Sequence, residues 1–192
     1  MIVPTSLITQ YRQDYPHEHS TISAIENHLE LVKQKPKIAS LHGHVTGSAW
    51  LVNPRNGKVL LTLHAKLHRW LQLGGHIDAH DDMNIHRTAL REAKEESGIL
   101  QIARTHDQIF HLDIHYIPAH KNEPEHYQYD FCFLHHITED ITAHASEESL
   151  DLKWFSLAEL MQIDTDPGLK KMCKKWQHAM FLADRYERSA IF

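Results

Sequence analysis

Thiols are scarce in this chain: Cys132 and Cys173 are the only cysteines in 192 residues. They form neither a disulfide framework nor a CxxC pair, and read as inert core thiols suited to a reducing cytoplasm. Long apolar runs are missing as well. No stretch approaches the roughly 18 residues that span a bilayer, and the N-terminal segment lacks the basic start and apolar run of a signal peptide. Both absences point to a cytoplasmic protein without a membrane partner. A basic surplus is absent too, since 20 Lys and Arg face 25 Asp and Glu for a formal net charge of −5. General nucleic-acid binding through bulk charge is thereby excluded. Neither an internal repeat nor a low-complexity tract interrupts the sequence. With 42% hydrophobic and 23% charged residues, the balance is that of a globular chain, and the length suits one principal domain with a short extension.

Histidine is what the chain has in excess. Full protonation of its 19 imidazoles would take the formal charge from −5 to +14, so the electrostatics change strongly below about pH 6.

Apolar positions Ile22, Ile25, Leu29 and Val32 follow Ser20 at three- and four-residue spacing, which predicts an amphipathic helix over 20–34 with Ser20 as N-cap and Lys35-Pro36-Lys37 as its end. From about residue 42 the chain turns to short runs rich in β-branched and aromatic residues, at 44–52, 58–64 and 70–77. The first two are joined by Asn53-Pro54-Arg55-Asn56-Gly57, a hairpin connection. A helix over 83–97 is stopped by Gly98, and two strands follow at 109–119 and 127–137. A short strand at 152–155 leads into a helix with a Ser156/Glu159 capping box. After Asp166-Pro167-Gly168, a final helix carries Leu169, Met172, Cys173, Trp176, Met180 and Ala183 at helical spacing. Strands mixed with a few helices predict an α+β fold with a mixed sheet rather than a doubly wound one.

The 83–97 helix carries the chemistry. Ile85, Ala89, Ala93 and Ser97, with Leu90, share a small apolar face suited to packing on a sheet. Glu92, Glu95 and Glu96 fall together on the neighbouring arc, while Arg87 and Lys94 point toward solvent. Like charges so spaced repel by a few tenths of a kcal/mol per pair, so a positive group belongs among them. Three carboxylates without a cysteine suit a hard divalent ion, Mg²⁺ or Mn²⁺, whose open positions take substrate phosphates. The implied chemistry is metal-assisted phosphoryl transfer to water. Taken alone, the same pattern also fits a solvated acidic face with Arg91 paired to Glu95.

Its context resembles the Nudix hydrolase box: a Gly, five residues, a Glu, seven residues, then Arg-Glu-aliphatic-any-Glu-Glu-any-Gly-aliphatic. Arg91-Glu92-Ala93-Lys94-Glu95-Glu96-Ser97-Gly98-Ile99 fits the second half and Gly75 supplies the opening glycine. Trp70-Leu71-Gln72-Leu73-Gly74-Gly75-His76 looks like the strand entering the box, and Trp154-Phe155-Ser156-Leu157-Ala158-Glu159-Leu160 like the family's closing strand and helix. The resemblance covers about 42–162. It departs at Asp81, which stands where the first Glu belongs and is separated from Arg91 by nine residues rather than seven. Asp81 and Asp82 both compete for that position. Leu73 replaces the usual proline before the two glycines.

The resemblance implies an α/β/α sandwich over 42–192 including the C-terminal helix, with 1–41 as an N-terminal helical extension that caps the cleft or forms a homodimer surface. It implies hydrolysis of a diphosphate bond in a nucleoside diphosphate linked to another moiety. Glu92, Glu95 and Glu96 would hold the metal, Arg91 would orient them, and the Gly75 region would bring a backbone carbonyl toward the ion. A further acidic residue from the loop before the last strand would ligate metal or deprotonate water, with Glu148 the choice and Glu147 the alternative. A catalytically silent nucleotide-ligand sensor on the same fold is the second reading, and a histidine-rich metal store the third.

Two weaker features remain. His111, His115, His120 and His126 lie around Asp113 and Asp130, where alternate strand residues would line a cleft, although exposed or satisfied histidines are the plainer reading. Lys170, Lys171, Lys174 and Lys175 read as a solvated basic edge on the last helix, with phosphate contact the minority reading.

Overall fold

The computed structural model describes residues 3–119, 124–146, 149–163 and 165–186, with the side chains of 183–186 excepted. Three helices open the chain: α1 (Thr5–Asp14), α2 (His19–Gln34) and α3 (Pro36–His42). They are followed by β1 (Gly43–Asn53), β2 (Lys58–His64), β3 (Trp70–Leu71), β4 (Leu73–His76), helix α4 (Ile85–Ser97), β5 (Ile102–Ile117), β6 (His126–Ile137), β7 (Ser149–Phe155), α5 (Leu157–Gln162) and α6 (Pro167–Tyr186).

The strands make one mixed sheet in the order β3-β2-β1-β6-β5, with β4 on β1 and β7 on β2. Strand β1 runs parallel to β6 from Gly43↔Tyr127 to Val52↔His136, and the other pairings are antiparallel. Strands β1 and β2 meet only near their hairpin, at Leu51↔Leu60 to Asn53↔Lys58. Beyond it they splay, and the segment expected as one strand over 70–77 fills the gap as two. Trp70–Leu71 pairs with β2 and Leu73–His76 with β1, the change of partner falling at Gln72.

Pleating divides β1 between two layers. Val45, Ala49 and Leu51 face α4, whose Ile85, Ala89 and Ala93 are fully buried as the helical period predicts, while Leu90 is only half-buried. Trp50 and Val52 face α6, whose Leu169, Met172, Cys173 and Trp176 enter the core at helical spacing. The layers are thus helix, sheet, helix. Both cysteines are buried, and burial pushes the Cys173 thiol up to about 11, which removes thiolate reactivity at neutral pH.

The extension closes the sheet's outer edge. Strand β5 is terminal, so alternate amides face away from β6. The Leu112 amide donates to Tyr11 Oη at 3.0 Å, and Ile8, Tyr11, Ile22 and Ile25 share a core with Leu112 and Phe131. Helix α2 spans the predicted 20–34 but starts one residue earlier, at His19, with Glu18 at the cap position and no side-chain cap bond. Ser20 is therefore inside the helix. Pro36 does not merely end it but opens α3, where a proline in the first turn costs no hydrogen bond.

Candidate active site

Helix α4 begins at Ile85 rather than 83 because Asp82 and Met83 both take left-handed backbone, at φ 52° and 54°. Asn84 then caps the helix through the His86 amide. The helix stops at Gly98, whose φ of 68° suits a residue without a side chain. Before it, the longer loop is tied down by a 3₁₀ turn over Ala79–Asp81, in which the Asp78 carboxylate accepts from the His80 amide and Asp81 Oδ2 accepts from the Asp78 amide.

Arg91 is the hub. Its Nε donates to Asp81 Oδ1 and its Nη2 to Asp81 Oδ2, both at 3.0 Å, in a two-pronged pair. Nη2 also donates to the His76 carbonyl at 2.7 Å, and Nη1 to Glu92 Oε1 at 2.9 Å and Glu95 Oε2 at 2.8 Å. Of the two aspartates that the spacing leaves open, Asp81 therefore occupies the arginine's partner position, while Asp82 pairs with the exposed Arg87. Burial by itself would raise the Asp81 carboxyl. The Arg91 guanidinium, with the Asp78 amide and the Thr88 hydroxyl, holds it below its ordinary range. Arg91 is raised in turn, chiefly by Asp81.

The three glutamates differ in setting. Glu96 is buried, and its Oε2 accepts from the Gly74 amide at 2.9 Å. Glu92 is half-buried against the glycine pair, where a Cβ on residue 75 would meet Glu92 Oε1 at 2.5 Å. A side chain at 75 would thus push the Glu92 carboxylate out of this position. The Glu95 side chain is 59% exposed and accepts from Arg91 Nη1. Among the described residues, no three His, Cys, Asp or Glu side chains are gathered closely enough to hold a metal ion. Glu92 and Glu95 instead share Arg91 Nη1, and Glu96 accepts from the Gly74 amide. The donor set nonetheless suits a hard divalent cation: three carboxylates of one helix face, beside a glycine that leaves room at the strand end.

The other sequence candidates separate. Glu147, Glu148 and His120 lie outside the described residues. His111 is buried away from the box, with Nδ1 3.1 Å from Lys175 Nζ and 3.4 Å from Tyr11 Oη. Lys175 is correspondingly not solvated. Its ammonium is 2.9 Å from Glu18 Oε1 and lies over the Tyr15 ring, joining α6 to the N-terminal helices. His115 stands 3.8 Å from Asp113, and His126 packs on His44 with ring centres 4.9 Å apart. Asp130 is fully enclosed, accepting from Thr46 Oγ1, Ser48 Oγ and Gln72 Nε2 at 2.9, 2.5 and 3.3 Å, and burial raises its carboxyl. The parallel β1–β6 register creates that network, and the sequence spacing carries no signal for a register.

A family model described as the NUDIX domain matches residues 43–176. Among solved structures, an Ap4A hydrolase binary complex of C. elegans is 20% identical, with a TM-score of 0.56 over 73% of this chain and 98% of that one. The NUDIX domain of NrtR from Shewanella oneidensis, complexed with ADP ribose, is 18% identical with a TM-score of 0.52 over 79% and 97%. A NUDIX-family hydrolase from Clostridium perfringens is 26% identical with a TM-score of 0.50 over 71% and 97%. No curated protein matches the sequence. No helix among the described residues is long and apolar enough to cross a membrane. The matched span runs from the first strand into the last helix, and the chain belongs to the NUDIX domain family.

Proposed function

We propose that the protein hydrolyses the diphosphate bond of a nucleoside diphosphate linked to another moiety, with Mg²⁺ or Mn²⁺. The observation that carries this reading is the Arg91 fork, which draws Asp81, Glu92, Glu95 and the His76 backbone onto one guanidinium beside Gly75. Glu92, Glu95 and Glu96 are the groups that would hold the cation. Glu92 and Glu95 both accept from Arg91 Nη1, and the exposure of Glu95 makes its turn toward an ion inexpensive. When bound, the ion would polarise the phosphoryl oxygens and acidify the attacking water.

Arg91 positions and does not react. Its raised pKa keeps it charged throughout the working range, and its grip on the His76 carbonyl and Asp81 fixes the strand end against α4. Glu96 fixes the same strand through the Gly74 amide. Nucleotide ligands named for similar structures, Ap4A and ADP ribose, support the substrate class without choosing within it. The two buried thiols suit a reducing compartment.

A panel of dinucleoside polyphosphates, nucleoside diphosphate sugars and nucleoside triphosphates, assayed with Mg²⁺ and with Mn²⁺ for phosphorylated products, tests this reading. Metal-dependent release of a nucleoside phosphate from at least one member is expected. Tight binding with no turnover across the panel would instead favour the ligand-sensor reading.

A further inference from the structure

We propose that the heterocyclic base of the substrate is received in a cavity built jointly by the N-terminal helices and the strand end of the box, a proposal that rests on the pyrophosphohydrolase reading above. The cavity measures about 320 Å³. Val32, Pro36 and Ala39 of α2 and α3 form one side, His44 and His76 of β1 and β4 another, and Met83 of the loop before α4 a third.

Its position ties it to the box. His76 directly follows Gly75 and contributes its side chain to the cavity, while its carbonyl accepts from Arg91. A ligand seated against His76 lies one residue along β4 from the glycine that Glu92 approaches. Its lining selects the kind of group admitted. Among the described residues no Lys, Arg, Asp or Glu lines it, so a phosphate would be desolvated without a counter-charge, and an uncharged group fits better. The His44 and His76 rings lie 4.5 Å apart, and His126 continues the row against His44. Imidazoles offer flat faces and ring nitrogens, which together suit a planar base with polar edges. The volume stands at the small end of the about 300–1,000 Å³ typical of ligand sites, enough for one nucleoside and too little for two.

Two features of this chain make the cavity. Residues 32–40 lie before the segment that the family model matches, so this wall belongs to the extension rather than the shared fold. The longer box loop supplies Met83, a half-exposed thioether on left-handed backbone directly after left-handed Asp82. Such backbone is costly for a residue with a side chain, and here it delivers a flexible, polarisable group to the cavity mouth.

The test is binding by the full chain without turnover. Methionine methyl groups are ¹³C-labelled, the Met83 resonance is assigned by Met83→Leu, and the four nucleoside 5′-monophosphates and base-free ribose 5-phosphate are titrated in turn. At least one nucleotide is expected to move the Met83 methyl resonance, ribose 5-phosphate is not, and Ser40→Trp, which puts a ring into the α3 wall that Ser40 lines beside Ala39, should weaken that nucleotide at least tenfold. If no nucleotide moves Met83, or if Ser40→Trp leaves affinity intact, the proposal is overturned. Hydrolysis without a Met83 response removes this cavity alone, whereas a Met83 response in a protein that hydrolyses nothing supports the cavity and overturns the hydrolase reading.

Discussion

Arg91 and Asp81 share two hydrogen bonds of 3.0 Å across a contact in which the aspartate side chain is 3% exposed. Removing the Asp81 carboxylate takes the two-pronged partner from Arg91 and the acceptor from the Asp78 amide and the Thr88 hydroxyl, all in an enclosed setting. Asp81→Ala is therefore expected to cost about 3 kcal/mol of stability and to lower turnover by loosening the strand end. Asp82→Ala, which breaks only the exposed pair with Arg87, should change stability by less than about 0.5 kcal/mol. Urea unfolding of the two variants separates them, and equal losses would deny Asp81 its place in the fork.

The carboxylates Glu95 and Glu96 predict a split between stability and activity. Glu95→Gln loses an exposed ion pair, an effect within about 0.5 kcal/mol. Glu96→Gln keeps an oxygen that accepts from the Gly74 amide, so its melting temperature should also stay within a few degrees. Both should lose turnover by at least about 10²-fold, since each removes a charge needed at the cation. Undiminished kcat in both variants would take these groups out of the mechanism.

Acid should weaken the fold above the carboxylate range. Burial pushes His86 and His135 down to about 4 and holds His111 well below its ordinary value. These imidazoles stay neutral in the native state, so the unfolded chain binds more protons once the pH falls below the ordinary value of about 6.5. Their contribution is complete above about pH 6.5 and is lost on descending toward about pH 4. The lowered Asp81 adds a loss of the same sign below about pH 4, whereas the raised Asp130 works oppositely, favouring the fold most at low pH. Denaturant unfolding between pH 7.5 and 4.5 should show stability dropping with acid, and His135→Gln should flatten the profile. A flat parent profile would contradict this.

The N-terminal helices should be coupled to α6 through Glu18 and Lys175, whose side chains are 12% and 9% exposed. Lys175→Met is expected to cost about 3 kcal/mol, and adding Glu18→Gln should return part of it. Additive losses in this double-mutant cycle would show that the contact carries no coupling.

How legible all this is in the sequence varies with the kind of contact. Helix α4, its apolar face and its Gly98 stop follow from local period and turn chemistry, and the box spacing carries the family. Helix α1 is less legible because only Ile8 and Tyr11 of its ten residues are buried. The first part of β5 is hidden by an irregular register between Arg104 and Ile109, which leaves no clean alternation. Lys175 reads as one of a solvated row because its burial depends on Glu18, far away in the chain. The choice of Asp81 over Asp82 depends on two left-handed residues that turn the longer loop back on itself, a conformation that neither residue type announces.

The most direct test of the central claim is a Mg²⁺ titration of turnover on the best substrate of the panel, comparing the parent with Glu96→Gln. The parent should be inactive in chelator and saturate with Mg²⁺. The variant should need at least about tenfold more metal for half its maximal rate, because a lost ligand weakens the ion's hold. Turnover that persists in chelator, or identical metal dependence in the two proteins, would contradict a cation held by this glutamate cluster.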